Sequence, residues 1–146
     1  VRTNITGFRP GNTQNTFIEW LINSIQRRSK ITLFDDFYAS TIDVNSFSKI
    51  LLNPLLDKSN GIINIGSRDC VSKRTFAYAI GDNLGVELNW VLSGSVAEQT
   101  PRRAESLGLN CSKIEAVLNE AMPDHPIVAH NLVKQFSDLY APKLNG

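Results

Sequence analysis

Cysteine is scarce in this chain: Cys70 and Cys111 are the only two in 146 residues, and neither shares a metal-ligand spacing with His125 or His130. That excludes a disulfide framework and a zinc site, and both thiols are expected to be free and buried. Charge of one sign is equally lacking. Fifteen Lys and Arg residues against fourteen Asp and Glu leave a formal charge of +1, too little for the broad positive field that grips a nucleic-acid backbone. No nucleic-acid partner is expected. No apolar run approaches the roughly 18 residues of a membrane span, and no signal-peptide pattern opens the chain, so a cytoplasmic protein without membrane contact is expected. Glycine-rich phosphate loops and a Gly-x-Ser-x-Gly elbow are missing as well. The chain therefore offers no cofactor-binding or catalytic set of its own.

What is present is an ordinary globular composition, 42% hydrophobic and 20% charged, enough for one core and one domain. Residues 1–5 read as a strand, and Phe17, Leu21 and Ile25 recur every fourth residue on one face of a helix from Thr16 to Arg28. Thr16 and Glu19 form a capping box at its start. Ile31 to Phe34 is a short strand, Asp35-Asp36 a turn, and Ala39 to Ile42 a second extended stretch. Asp43 caps a helix carrying Val44, Phe47 and Leu51 that Pro54 ends near Asn53.

Gly61 to Gly66 is apolar, β-branched and bounded by glycine, as a buried parallel strand would be. Ser72 caps the next helix, with Val71 and Phe76 as a hydrophobic staple and Gly85 as a left-handed stop. The polar stretch from Ser93 to Ser106 is expected to be a loop. Ser112 and Glu115 read as another capping box, and a last helix carries Val128, Leu132, Phe136 and Leu139. The sum is a mixed α/β chain of short strands and several helices, and not the βαβαβ unit of a complete dinucleotide domain.

Candidate chemistry is sparse. Asp35-Asp36 could be a carboxylate pair, but a turn after a strand accounts for both residues. His125 and His130 are expected on a solvated helix face. Val1, not Met, opens the chain on a strand already under way, so upstream sequence is expected.

In order along the chain, Val1-Arg2-Thr3-Asn4-Ile5 followed by Gly7, the segment Thr16 to Ile25, and Ile31-Thr32-Leu33-Phe34-Asp35-Asp36 form one series. It continues with Ser40-Thr41 through Ser48, Gly61 to Gly66, Val71-Ser72-Lys73 with Phe76, and Arg103 through Ile114. Together these resemble the sugar-nucleotide reductases of the extended short-chain dehydrogenase/reductase family, in particular the dTDP-4-dehydrorhamnose reductase type, over residues 1 to about 122. Four positions depart from the family pattern: Thr41 and Ala104 stand for proline, and Ser46 and Asn110 for aspartate. A tryptophan or similar residue that would pack on the sugar near Ile5 is absent.

The resemblance implies that residues 1–146 are the carboxy-terminal substrate-binding subdomain of a Rossmann-type enzyme whose Rossmann half is missing, with residues 1–14 continuing a strand and loop of that half. NAD(P)H would be held by the full-length parent, and none by this chain alone. The implied ligand is a nucleotide-diphosphate sugar, with Asn4, Thr16, Ser40 and Arg103 as its contacts. Each has a plainer reading: turn residue, helix cap, strand-edge polarity and solvated arginine. The implied partner is the amino-terminal Rossmann domain, and the face left open without it is expected to favour a homo-oligomer. The departures leave open a second reading, a non-catalytic regulatory or scaffold protein on the same fold.

Overall fold

The computed structural model describes residues 1–9, 11, 14–101 and 104–140. Two short parallel pairs open the fold. β1 (Arg2–Thr3) runs beside β6 (Asn64–Ile65), and β2 (Ile5–Thr6) beside β5 (Ile42–Asp43). A third parallel pair joins β3 (Thr32–Phe34) to β8 (Leu92–Gly94). β4 (Tyr38–Ala39) is the centre of a small mixed sheet, antiparallel to β7 (Val71–Ser72) and parallel to β9 (Ser106–Leu107).

Helices carry most of the core. α1 (Phe17–Gln26) buries Ile18, Leu21, Ile22 and Ile25 against α3 (Lys73–Leu84) and α5 (His125–Tyr140). Phe76, Ile80, Val128 and Leu132 complete that cluster. A second, smaller cluster gathers Ile42, Ile63, Ile65, Ile114 and Met122 between β5, β6 and α4 (Ser112–Leu118). α2 (Val44–Leu51) starts at Asp43, whose buried carboxylate accepts from Ser46 N at 2.9 Å and from Asn131 Nδ2 at 3.3 Å, so one side chain both caps α2 and reaches α5. The capping box of Thr16 and Glu19 is present, and Gly85 closes α3 at φ +68°.

Five expectations change. The 61–66 strand shortens to Asn64–Ile65 because it has one neighbour, itself two residues long, and Ile62 is 58% exposed. The 93–106 stretch is not all loop. Ser93 and Gly94 pair with β3, and Asp36 accepts from Val96 N at 2.7 Å and from the Ser95 hydroxyl, winding Val96–Glu98 into a 3-10 turn. Ser112 does not cap α4. Cys111 stands at the cap, Ser112 N donates to Asn110 Oδ1 at 3.0 Å, and Glu115 Oε1 turns away to accept from Met122 N at 2.9 Å. His125 is not simply solvated, since Asp69 takes both its backbone N–H, at 2.9 Å, and its ring Nδ1. Cys70 is exposed, whereas Cys111 is buried as expected.

Candidate functional site

The segment Phe37 to Asp43 is a crossroads. On one side Ile42 N donates to the carbonyl of Asn4 at 3.1 Å, which ties β2 and the expected substrate turn to β5. On the other, Tyr38 N donates to Glu105 O at 2.8 Å, and β9 continues alongside β4. Arg103 itself lies outside the described residues. Glu105 to Leu107, which follow it, run beside β4. Ser40 sits within the segment, buried, with its hydroxyl accepting from Leu109 N at 3.2 Å.

Asn4 combines two roles. Its carbonyl holds the β2–β5 junction, and its side-chain Nδ2 is buried without a hydrogen-bond partner. An unsatisfied buried donor is costly, on the order of 1–3 kcal/mol. Thr16 is fully engaged as a cap: its hydroxyl accepts from Glu19 N at 3.3 Å, and its N–H donates to Glu19 Oε2 at 2.7 Å. Glu19 also accepts from Arg9 N at 2.7 Å, so a single carboxylate closes the whole loop before α1. Burial alone would raise its pKa, but these donors outweigh it and hold the carboxyl below its ordinary value.

Lys73 was not singled out by the sequence reading beyond its place in a motif. Its N–H donates to Phe37 O at 2.9 Å, and its ammonium lies 4.5 Å from the centre of the Phe17 ring and 5.6 Å from that of Phe37. Burial pushes its pKa down. The signal available in the sequence was a cation in the first turn of a helix, where the peptide dipoles favour acids. Through Phe17, next to Thr16, and through Phe37, Lys73 connects the start of α1 to the crossroads. Asp35 and Asp36, by contrast, are spent on structure: Asp35 pairs with Arg74 at 3.2 Å and with Ser93, and Asp36 organises residues 95–97.

No group of His, Cys, Asp and Glu among the described residues is arranged to hold a metal ion. The strand-to-helix junctions β5–α2 and β7–α3 are closed by their own caps, Asp43 and Ser72, and at the first of them a carboxylate stands where a pyrophosphate would need open N–H groups. No described helix is long and apolar enough to cross a membrane.

No protein-family model matches this chain, and no curated protein matches it in sequence. Solved structures do match it. The dTDP-4-dehydrorhamnose reductase of Bacillus anthracis str. Ames, in complex with NADP, superposes with a TM-score of 0.74 over 92% of this chain, at 17% identity. The chain has the fold of part of an extended short-chain dehydrogenase/reductase. The reductase of Yersinia enterocolitica matches at a TM-score of 0.74 over 91% of the chain, with 18% identity. A UDP-N-acetylglucosamine 4-epimerase from Methanobrevibacter ruminantium M1, in complex with UDP-N-acetylmuramic acid, matches at 0.67 over 94%, also at 18% identity. The chain covers 47% of each of these reductases and 45% of the epimerase, so it spans under half the length of the reductase-type folds it matches.

Proposed function

We propose that this chain is the carboxy-terminal, sugar-nucleotide-binding part of an NAD(P)-dependent reductase or epimerase acting in the cytoplasm on a nucleotide-diphosphate sugar such as dTDP-4-dehydrorhamnose. The observation that carries the reading is the fold shared with the dTDP-4-dehydrorhamnose reductases over 92% of the chain. The unpaired Nδ2 of Asn4 beside the crossroads supports the site. NAD(P)H and the groups that move hydride and proton belong to an amino-terminal Rossmann domain, since the β5–α2 and β7–α3 junctions of this chain are closed by their own caps. Its own residues bind and orient: Asn4 offers a side-chain amide, the start of α1 at Thr16 offers backbone donors, and Ser40 shapes the wall. Arg103 supplies a guanidinium able to grip phosphate oxygens with two parallel hydrogen bonds. Alone, the chain is inactive.

Titration of the isotopically labelled chain with a dTDP-sugar, followed by NMR, tests this. Resonances of Asn4, Thr16 and Ser40 are expected to move progressively, while NADPH moves nothing. Arg103→Ala is expected to weaken sugar-nucleotide binding by roughly 10- to 150-fold, the range for hydrogen bonds to a charged group, and Arg102→Ala to leave it nearly unchanged. Saturable NADPH binding at micromolar concentration would overturn the reading, as would equal effects of the two arginine substitutions.

A further inference from the structure

Lys73 is a cation in a place that the fold makes unfavourable. It is the first residue of α3, and its ammonium lies 4.5 Å from the centre of the ring of Phe17, the first residue of α1, so a positive charge is added at a helix start whose dipole end is already positive. No acidic residue stands in the first turn of α3. The acids nearest in sequence and in the capping network are committed elsewhere: Asp35 to Arg74 and Ser93, Asp36 to Ser95 and Val96, and Glu19 to Arg9, Thr16 and Tyr140. The Phe17 and Phe37 rings attract the ammonium through their faces, yet they leave its hydrogen-bonding capacity unused. At the start of α1 the Thr16 hydroxyl satisfies Glu19 N. The N–H groups of the first two helical residues, Phe17 and Ile18, have no partner within the helix.

From this geometry we propose that Lys73, framed by Phe17 and Phe37, is a phosphate-recognising cation that pairs with the diphosphate of the bound nucleotide sugar, near the N-terminal end of α1. This deepens the nucleotide-sugar reading and rests on it. It adds Lys73 to the proposed contacts, and it accounts for a lysine at a helix start that local electrostatics alone would disfavour. Lys73 has no ion pair among the described residues, a diphosphate would supply a counter-charge there, and in a half-buried setting that pairing is screened less than at an open surface.

The test follows the side-chain 13Cε resonance of Lys73 in the labelled chain, with pyrophosphate and thymidine diphosphate as separate probes. In the free chain Lys73 is expected to titrate below ordinary lysines, consistent with its burial. Saturating thymidine diphosphate is expected to raise that midpoint and to move Asn4 and Thr16 in the same titration. Pyrophosphate should raise it more weakly. Lys73→Gln is expected to weaken thymidine diphosphate binding by about tenfold or more, and Lys73→Arg to retain most of it, with unchanged melting showing that both variants fold. Movement of Asn4 and Thr16 with Lys73 silent overturns the role of Lys73 while the function reading stands. Silence at all three overturns the function reading itself.

Discussion

Glu19 shows how much one side chain can organise. Its two oxygens accept from Arg9 N and Thr16 N, both at 2.7 Å, and the Tyr140 hydroxyl approaches at 3.5 Å, so the loop after β2, the start of α1 and the end of α5 meet at one carboxylate. With 8% of its surface exposed, it is charged and buried but fully partnered. Its folded pKa lies below its ordinary value, as does that of Asp36, where the Ser95 hydroxyl and the Val96 N–H are the main causes. The folded state therefore binds fewer protons than the unfolded chain in the acid range. The stability these groups contribute is complete above the ordinary carboxylate range and is lost as pH falls through their depressed folded values. Melting temperature is expected to be flat near neutrality and to fall steeply below about pH 4.5. Glu19→Gln, lower in stability at neutral pH, should show a shallower fall; an equally steep one would assign the acid sensitivity to other groups.

Among elements, the junction of β6 with the crossroads is closed by backbone. A Cβ on Gly66 would stand 2.7 Å from the carbonyl oxygen of Ser40 and 3.2 Å from Leu109 Cδ1, and the first of these is backbone that cannot turn aside. Gly85 is the contrast: its φ of +68° disfavours a side chain, but nothing lies within 4 Å of the Cβ position. Gly85→Ala is expected to cost about 1 kcal/mol, the ordinary penalty of a left-handed residue. Gly66→Ala should cost roughly 1–3 kcal/mol through displaced backbone and should also shift the Ser40 and Leu109 amides. Urea unfolding with amide spectra of both variants checks this. Equal costs with an undisturbed Ser40 would show that β6 and β4 can separate without strain.

For the whole molecule, the decisive feature is how little covers the first strands. β1–β6 and β2–β5 are two-stranded parallel ladders, an arrangement found almost only where both faces are covered. Leu52 is 80% exposed and Val1 63%. This chain alone is expected to self-associate, with the proposed Rossmann domain as the natural cover. Leu52→Glu should lower the association measured by light scattering at micromolar concentration while changing stability by less than about 0.5 kcal/mol, as a surface substitution does. A wild-type chain that stays monomeric at every concentration would remove the basis for this expectation.

The sequence alone determined the features that local physics controls. The Thr16–Glu19 capping box, the Asp43 and Ser72 caps, the Gly85 stop and the apolar stripe of α1 depend on residues within a few positions of each other, so spacing was enough to find them. The motif order likewise pointed to the fold that the solved reductases share. Contacts between distant residues were decided only by the tertiary structure. Asp36 shapes residues 95–97 across some 60 positions, Asp69 anchors His125 across 56, and Asn110 takes over the turn assigned to Ser112 because α4 begins where β6 and Gly66 receive Cys111. Lys73 belongs to this second class. Its neighbours Phe17 and Phe37 are far from it in the chain, and its burial between their rings comes into being only when α1, β4 and α3 pack together.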